Sequence, residues 1–135
     1  MYLITMVKIF VTFITIVLSS ITTAAPVFLA DSDNSFASGK LSLLTFTMPH
    51  CGYCKQQRID YKKYNASENT PDIWVSDKDS KYAKSLGDKF ETDIYPTTWI
   101  VYKNKDGLTP IQKFRGYQPA EKLMESVDFL RDFID

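Results

Sequence analysis

The 135-residue chain is poor in cysteine, with two, and in histidine, with one, and it has no net charge, 16 Lys+Arg standing against 16 Asp+Glu. Each shortage excludes something. Two cysteines cannot staple a small fold with several bridges, and with His50 as the lone histidine they fall short of the four ligands of a closed structural zinc site. No metal and no cofactor is expected. Formal neutrality leaves no field strong enough to hold a polyanion, which excludes nucleic acid as a partner. No repeat or low-complexity tract interrupts the sequence. What is present is 44% apolar residues, enough for the core of one domain.

Charge is unevenly placed. Residues 1–24 contain Lys8 as their single charged residue, so the remainder carries one more acid than base. A mostly apolar stretch from Ile9 to Leu18 is followed by small hydroxyl residues and then by Ala24 and Ala25, the order of a secretory signal peptide cut after residue 24. An uncleaved N-terminal anchor is the alternative, the apolar part being slightly short of the ~20 residues that span a bilayer. Both readings export the domain and permit disulfide chemistry. The C-terminal Arg131 to Asp135 carries no endoplasmic-reticulum retention signal, which makes a bacterial periplasm the expected compartment. Asn65-Ala66-Ser67 fits a glycosylation acceptor, relevant in a eukaryotic secretory setting alone.

Residues 25–39 read as a polar lead-in with a short strand at Val27 to Leu29, and 40–135 as the folded domain. Leu41 to Thr47 is a buried strand by its apolar and β-branched content, ended by Met48-Pro49. Cys51 to about Tyr64 fits an amphipathic helix. Asp72 to Ser76 is a short strand, and Asp77 to Ser80 is a helix start, with Tyr82, Ala83, Leu86 and Phe90 recurring at helical spacing. Thr97 to Tyr102 is the clearest strand, Asn104 to Gly107 a hairpin turn, and Ile111 to Arg115 the returning strand. A helix from Pro119 sets Leu123, Val127, Leu130 and Ile134 on one face. Trp74 and Trp99, inside strands, are core residues. The order is β-α-β-α-β-β-α, an α/β fold.

The candidate chemistry lies in Cys51-Gly52-Tyr53-Cys54, at the junction of a buried strand and a helix N-terminus. Unpaired backbone N–H groups and the helix dipole favour negative charge there, so the Cys51 thiolate is stabilised and Cys51 is the expected nucleophile. Cys54, about one turn on, is placed to attack a mixed disulfide at the first sulfur and is the expected resolving thiol. Half of a zinc site has the same spacing, but no second pair accompanies this one. His50 is either a titrating neighbour that further favours the thiolate or an exposed loop residue. Tyr53 either touches substrate or tunes the pair.

Thr45-Phe46-Thr47 leading into Cys51-Gly52-Tyr53-Cys54-Lys55, Tyr95-Pro96-Thr97 opening a strand, Gly107 in a hairpin and Gly116 before the last helix resemble the thioredoxin superfamily over residues 40–134. The resemblance implies a central mixed sheet of four to five strands flanked by helices. It also implies a cis Pro96 beside the disulfide, with Tyr95, Pro96 and Thr97 as a substrate-contacting wall. Gly-Tyr between the cysteines is similar to bacterial periplasmic disulfide isomerases, and Tyr-Pro-Thr to protein disulfide isomerase domains. Three departures stand out. Thr45 occupies the place of the buried acid six residues before the first cysteine, so a slower or solvent-assisted proton step is expected. His50 replaces the tryptophan before that cysteine. Residues 25 to 40 are too short for the dimerisation domain of the dimeric isomerases, so a monomer is expected.

The expected function is exported thiol-disulfide exchange, with reduction or isomerisation favoured over oxidation. The expected partners are cysteine-containing envelope or secreted proteins and a redox partner that recycles the pair. The alternatives are a non-catalytic thioredoxin-like module holding a partner beside Pro96, and a membrane-anchored electron-transfer protein serving one client.

Overall fold

The computed structural model describes residues 23–134. All of the expected leader except Thr23 and Ala24 lies outside the described residues. The central sheet has five strands in the order β2-β5-β3-β6-β7, where β2 is Val27–Leu29, β3 Leu41–Thr47, β5 Ile73–Asp77, β6 Thr97–Asn104 and β7 Gly107–Arg115. β2, β5 and β3 run parallel, and β6 and β7 pair antiparallel to complete a mixed sheet. Two two-residue strands, β1 (Thr23–Ala24) and β4 (Asn65–Ala66), form a separate antiparallel pair. Three α-helices flank the sheet: α1 Gly52–Lys63, α2 Lys81–Leu86 and α3 Ala120–Ile134.

All seven residues of β3 are buried, which explains why it holds no charged residue and only small hydroxyls, Ser42, Thr45 and Thr47, among its apolar ones: a central strand covered on both faces has no side to give to water. Its side chains alternate between two cores. Leu41 and Leu43 pack with Tyr61 of α1, Ile73, Ile100, and Leu123, Met124 and Val127 of α3. Leu44 and Phe46 pack with Tyr82, Phe90, Val101, Leu108 and Phe36 on the other face. Residues 25–39 are part of this construction: β2 is an edge strand on β5, and Ala25, Ala30 and Phe36 are buried.

Several boundaries differ from the sequence expectation for physical reasons. β7 starts at Gly107 and not at Ile111, because Pro110 sits within it opposite Val101, beside a bulge; an edge strand tolerates a missing N–H. The helix expected to reach Phe90 divides at Gly87, whose φ of +61° leaves the helical region and starts a 3₁₀ turn over Gly87–Phe90. Trp74 and Trp99 are half-buried, against Phe28 and Phe36 and against Phe90 respectively, and both indole N–H groups are buried without a partner among the described residues.

Candidate active site

α1 begins where β3 runs out. Cys51 is the helix N-cap, in extended conformation, and its Sγ accepts the backbone N–H of Cys54 at 3.2 Å. Cys51 and Cys54 form a disulfide with Cα atoms 5.2 Å apart. The sulfur of this oxidised form stands in for the thiolate of the reduced one, and the same N–H and the α1 dipole face it in either state. On its other side, Cys51 Sγ lies 3.6 Å from the carbonyl oxygen of Tyr95. The Tyr95–Pro96 peptide bond is cis.

The two cysteines differ in access: Cys54 is buried and Cys51 partly exposed. Gly52 and Tyr53 are exposed, Tyr53 by 70%. His50 is exposed in a left-handed backbone conformation, φ +58°, a region that histidine enters more readily than most residues. The structure therefore brings His50, Cys51 and Cys54 to one cleft of about 620 Å³, which Lys55, Arg58 and Asp77 also line. Of the three residues expected opposite Cys51, Tyr95 is half-exposed while Pro96 and Thr97 are buried, Thr97 Oγ1 donating to the Ile94 carbonyl at 2.7 Å. Among the described residues, no group of three or more His, Cys, Asp or Glu is placed to hold a metal ion, and no helix is long and apolar enough to cross a membrane.

Thr45 is fully buried and closes a triangle of hydroxyls with Tyr61 at 2.7 Å and Thr98 at 2.9 Å, Tyr61 and Thr98 being 3.3 Å apart. Burial pushes the Tyr61 hydroxyl up to about 12, opposed by its hydrogen bonds to Thr45 and Thr98. Only the facing register of Thr45 and Thr98 on β3 and β6 could have signalled this cluster. Gln57 carries no apolar signal, yet it is fully buried: its amide donates to the Gln118 carbonyl at 2.8 Å and accepts the Gln118 N–H at 2.9 Å, fixing α1 to the loop before α3. Arg115 grips Asp93 through two bonds, 2.8 and 3.1 Å, which ties the loop bearing Tyr95 to β7. Hydrogen bonding to that guanidinium holds the Asp93 carboxyl below its ordinary range.

Comparison with known proteins agrees with this geometry. The Thioredoxin family model matches residues 28–129. Protein disulfide-isomerase A4 of Bos taurus is 37% identical over 100 residues, 73% of this chain and 15% of that protein. Protein disulfide-isomerase of Datisca glomerata is 30% identical over 98 residues, 72% of this chain and 18% of that protein. The chain thus spans less than a fifth of the length of either relative. Among solved structures, the thioredoxin of Malassezia sympodialis superposes with a TM-score of 0.62 at 18% identity, covering 83% of this chain and 96% of its own. Spinach chloroplast thioredoxin f in its short form gives 0.58 at 18%, covering 84% and 99%. With a thioredoxin fold, a disulfide at the N-terminus of α1 and a family match across most of its length, the chain belongs to the thioredoxin family.

Proposed function

We propose that the protein is an exported thiol-disulfide oxidoreductase that reduces or exchanges disulfides in envelope or secreted proteins, acts as a monomer, and works in the bacterial periplasm. The observation that carries the chemistry is the position of Cys51 Sγ, between the Cys54 N–H and the Tyr95 carbonyl. In the reduced protein the Cys51 thiolate attacks a substrate disulfide, forming a mixed disulfide and expelling one substrate sulfur, which takes up a proton. Cys54 then loses its proton and attacks Cys51 Sγ. The second substrate sulfur leaves as a thiol and the Cys51–Cys54 disulfide is restored. Two electrons pass to the substrate, and a separate redox partner returns them to the pair.

Thr45 and Tyr61 are poor acceptors for the Cys54 proton, since a hydroxyl is scarcely basic and that of Tyr61 is harder still to ionise. Cys54 lines the cleft, so its proton leaves to water there, the solvent-assisted step that Thr45 implies. Tyr95 forms the exposed part of the substrate wall, with Pro96 and Thr97 supporting it from behind. The leader over residues 1–24, with its single charge, supports export. The Gly-Tyr dipeptide supports reduction or isomerisation over oxidation.

Turnover of insulin disulfides by the reduced protein tests the reading. Cys51→Ser is expected to abolish reduction, and Cys54→Ser to accumulate a covalent adduct that a reducing agent releases. Partners recovered without a covalent bond through Cys51 would instead identify a binding module.

A further inference from the structure

We propose that the cleft beside the disulfide is a subsite for acidic side chains of a polypeptide substrate, lying about two to three residues from the reacting cystine. The proposal rests on the oxidoreductase reading and names the substrate class that the site selects. The cleft, about 620 Å³, is lined by both cysteines together with Lys55 and Arg58. Among the described residues the ion pairs are Lys78–Asp79, Arg115–Asp93 and Arg131–Asp128, so neither Lys55 nor Arg58 is neutralised by a carboxylate. Asp77 is the one acid in the lining, so against Lys55 and Arg58 the cleft keeps a formal excess of one positive charge, and Asp77 Oδ1 accepts the backbone N–H of Asp79 at 2.9 Å. Arg58 is steadied at the wall, where its Nη2 donates to Thr47 Oγ1 at 3.4 Å.

Three contributions of one sign therefore converge near Cys51: the Lys55 ammonium, the Arg58 guanidinium and the N-terminus of α1, whose first turn carries no acid. The cleft is locally cationic although residues 25–135 carry a slight excess of acid. That contrast makes the selection short-ranged, confined to groups already docked within about a Debye length. Helix geometry sets the spacing. Arg58 is seven residues beyond Cys51, about 10 Å along the α1 axis, and Lys55 is four beyond, about 6 Å. An extended peptide advances about 3.3 Å per residue, so the matching carboxylates lie roughly two and three positions from the substrate cysteine. The planar Arg58 fork suits a carboxylate better than an ammonium does.

The test compares three disulfide peptides of equal length, flanked at the second and third positions by Glu, by Gln or by Lys, as substrates of the reduced full-length protein. The wild type is expected to show kcat/KM about three- to tenfold higher for the Glu than for the Gln peptide, a margin in keeping with two solvent-screened ion pairs and shrinking as salt rises. The ratio is the readout, so a change in Cys51 reactivity common to all peptides cancels. In K55Q/R58Q the ratio falls towards one, and in K55E/R58E the preference passes to the Lys peptide. A wild-type ratio near one, or a ratio that survives both double variants, overturns the subsite while leaving the oxidoreductase standing. No turnover of any peptide overturns the oxidoreductase reading, and the subsite with it.

Discussion

At the scale of single residues, the hydroxyl triangle of Thr45, Tyr61 and Thr98 makes a prediction with a definite sign. A tyrosine that ionises at about 12 when folded and near 10 when unfolded keeps its proton longer in the native state. Its contribution to stability is fully present below pH 10 and is lost as pH rises from about 10 to 12, because over that window the unfolded chain has already released the proton. Two pH units correspond to about 3 kcal/mol. Urea unfolding of wild type and Tyr61→Phe between pH 8 and 11.5 checks this: the wild type should lose stability more steeply at the alkaline end, and parallel curves would contradict it. The exchange of a buried acid for Thr45 is visible in the sequence, but its consequence is not. The sequence does not say that the hydroxyl is spent on Tyr61, which is remote in sequence and adjacent in space. The pairing of Cys51 with Cys54 at the start of α1 was legible because it depends on spacing and on the strand-to-helix junction, both local properties.

At the scale of elements, α1 is held to the start of α3 by polar groups where apolar periodicity led the sequence reading. Gln57 makes two bonds to Gln118, and Asp60 Oδ2 accepts the Ala120 N–H at 2.6 Å, capping α3 from a different helix. A side chain that caps a helix 60 residues later leaves no trace in local sequence, and Gln57 lies among Lys55, Gln56 and Arg58 in a stretch that reads as solvated. The two contacts should separate by substitution. Asp60→Ala is expected to cost about 1 kcal/mol, as loss of a helix cap does, and Asp60→Asn markedly less since an acceptor remains. Gln57→Leu keeps the volume but strands both backbone groups of Gln118, for a loss of about 2 kcal/mol or more. Denaturant midpoints at unchanged slope measure all three, and a Gln57→Leu protein as stable as wild type would show that α1 and α3 dock through their apolar residues alone.

At the scale of the whole molecule, the sheet separates two cores, and the one remote from α1 and α3 is covered by modest elements: the short α2, the 3₁₀ turn ending in Phe90, and Ala30 and Phe36 of the segment 25–39. The polar composition of that segment masks this role. It supplies Ala30 and Phe36 to the core, lays β2 along β5, and anchors itself through Asp33, which accepts the Tyr82 hydroxyl at 2.7 Å. The family match beginning at residue 28 agrees with an integral edge strand. Phe36 is 4% exposed and packs on Trp74, whereas Phe28, also on Trp74, is 42% exposed. The Phe36→Ala variant should therefore lose about 3–5 kcal/mol and on the order of 10–20 °C in thermal midpoint, with Phe28→Ala losing less than half as much. Because α1, which carries Cys54, packs its Tyr61 in the opposite core, folded Phe36→Ala protein at low temperature should still reduce insulin. Equal losses from the two substitutions would show that residues 25–39 lie on the domain without forming part of its core.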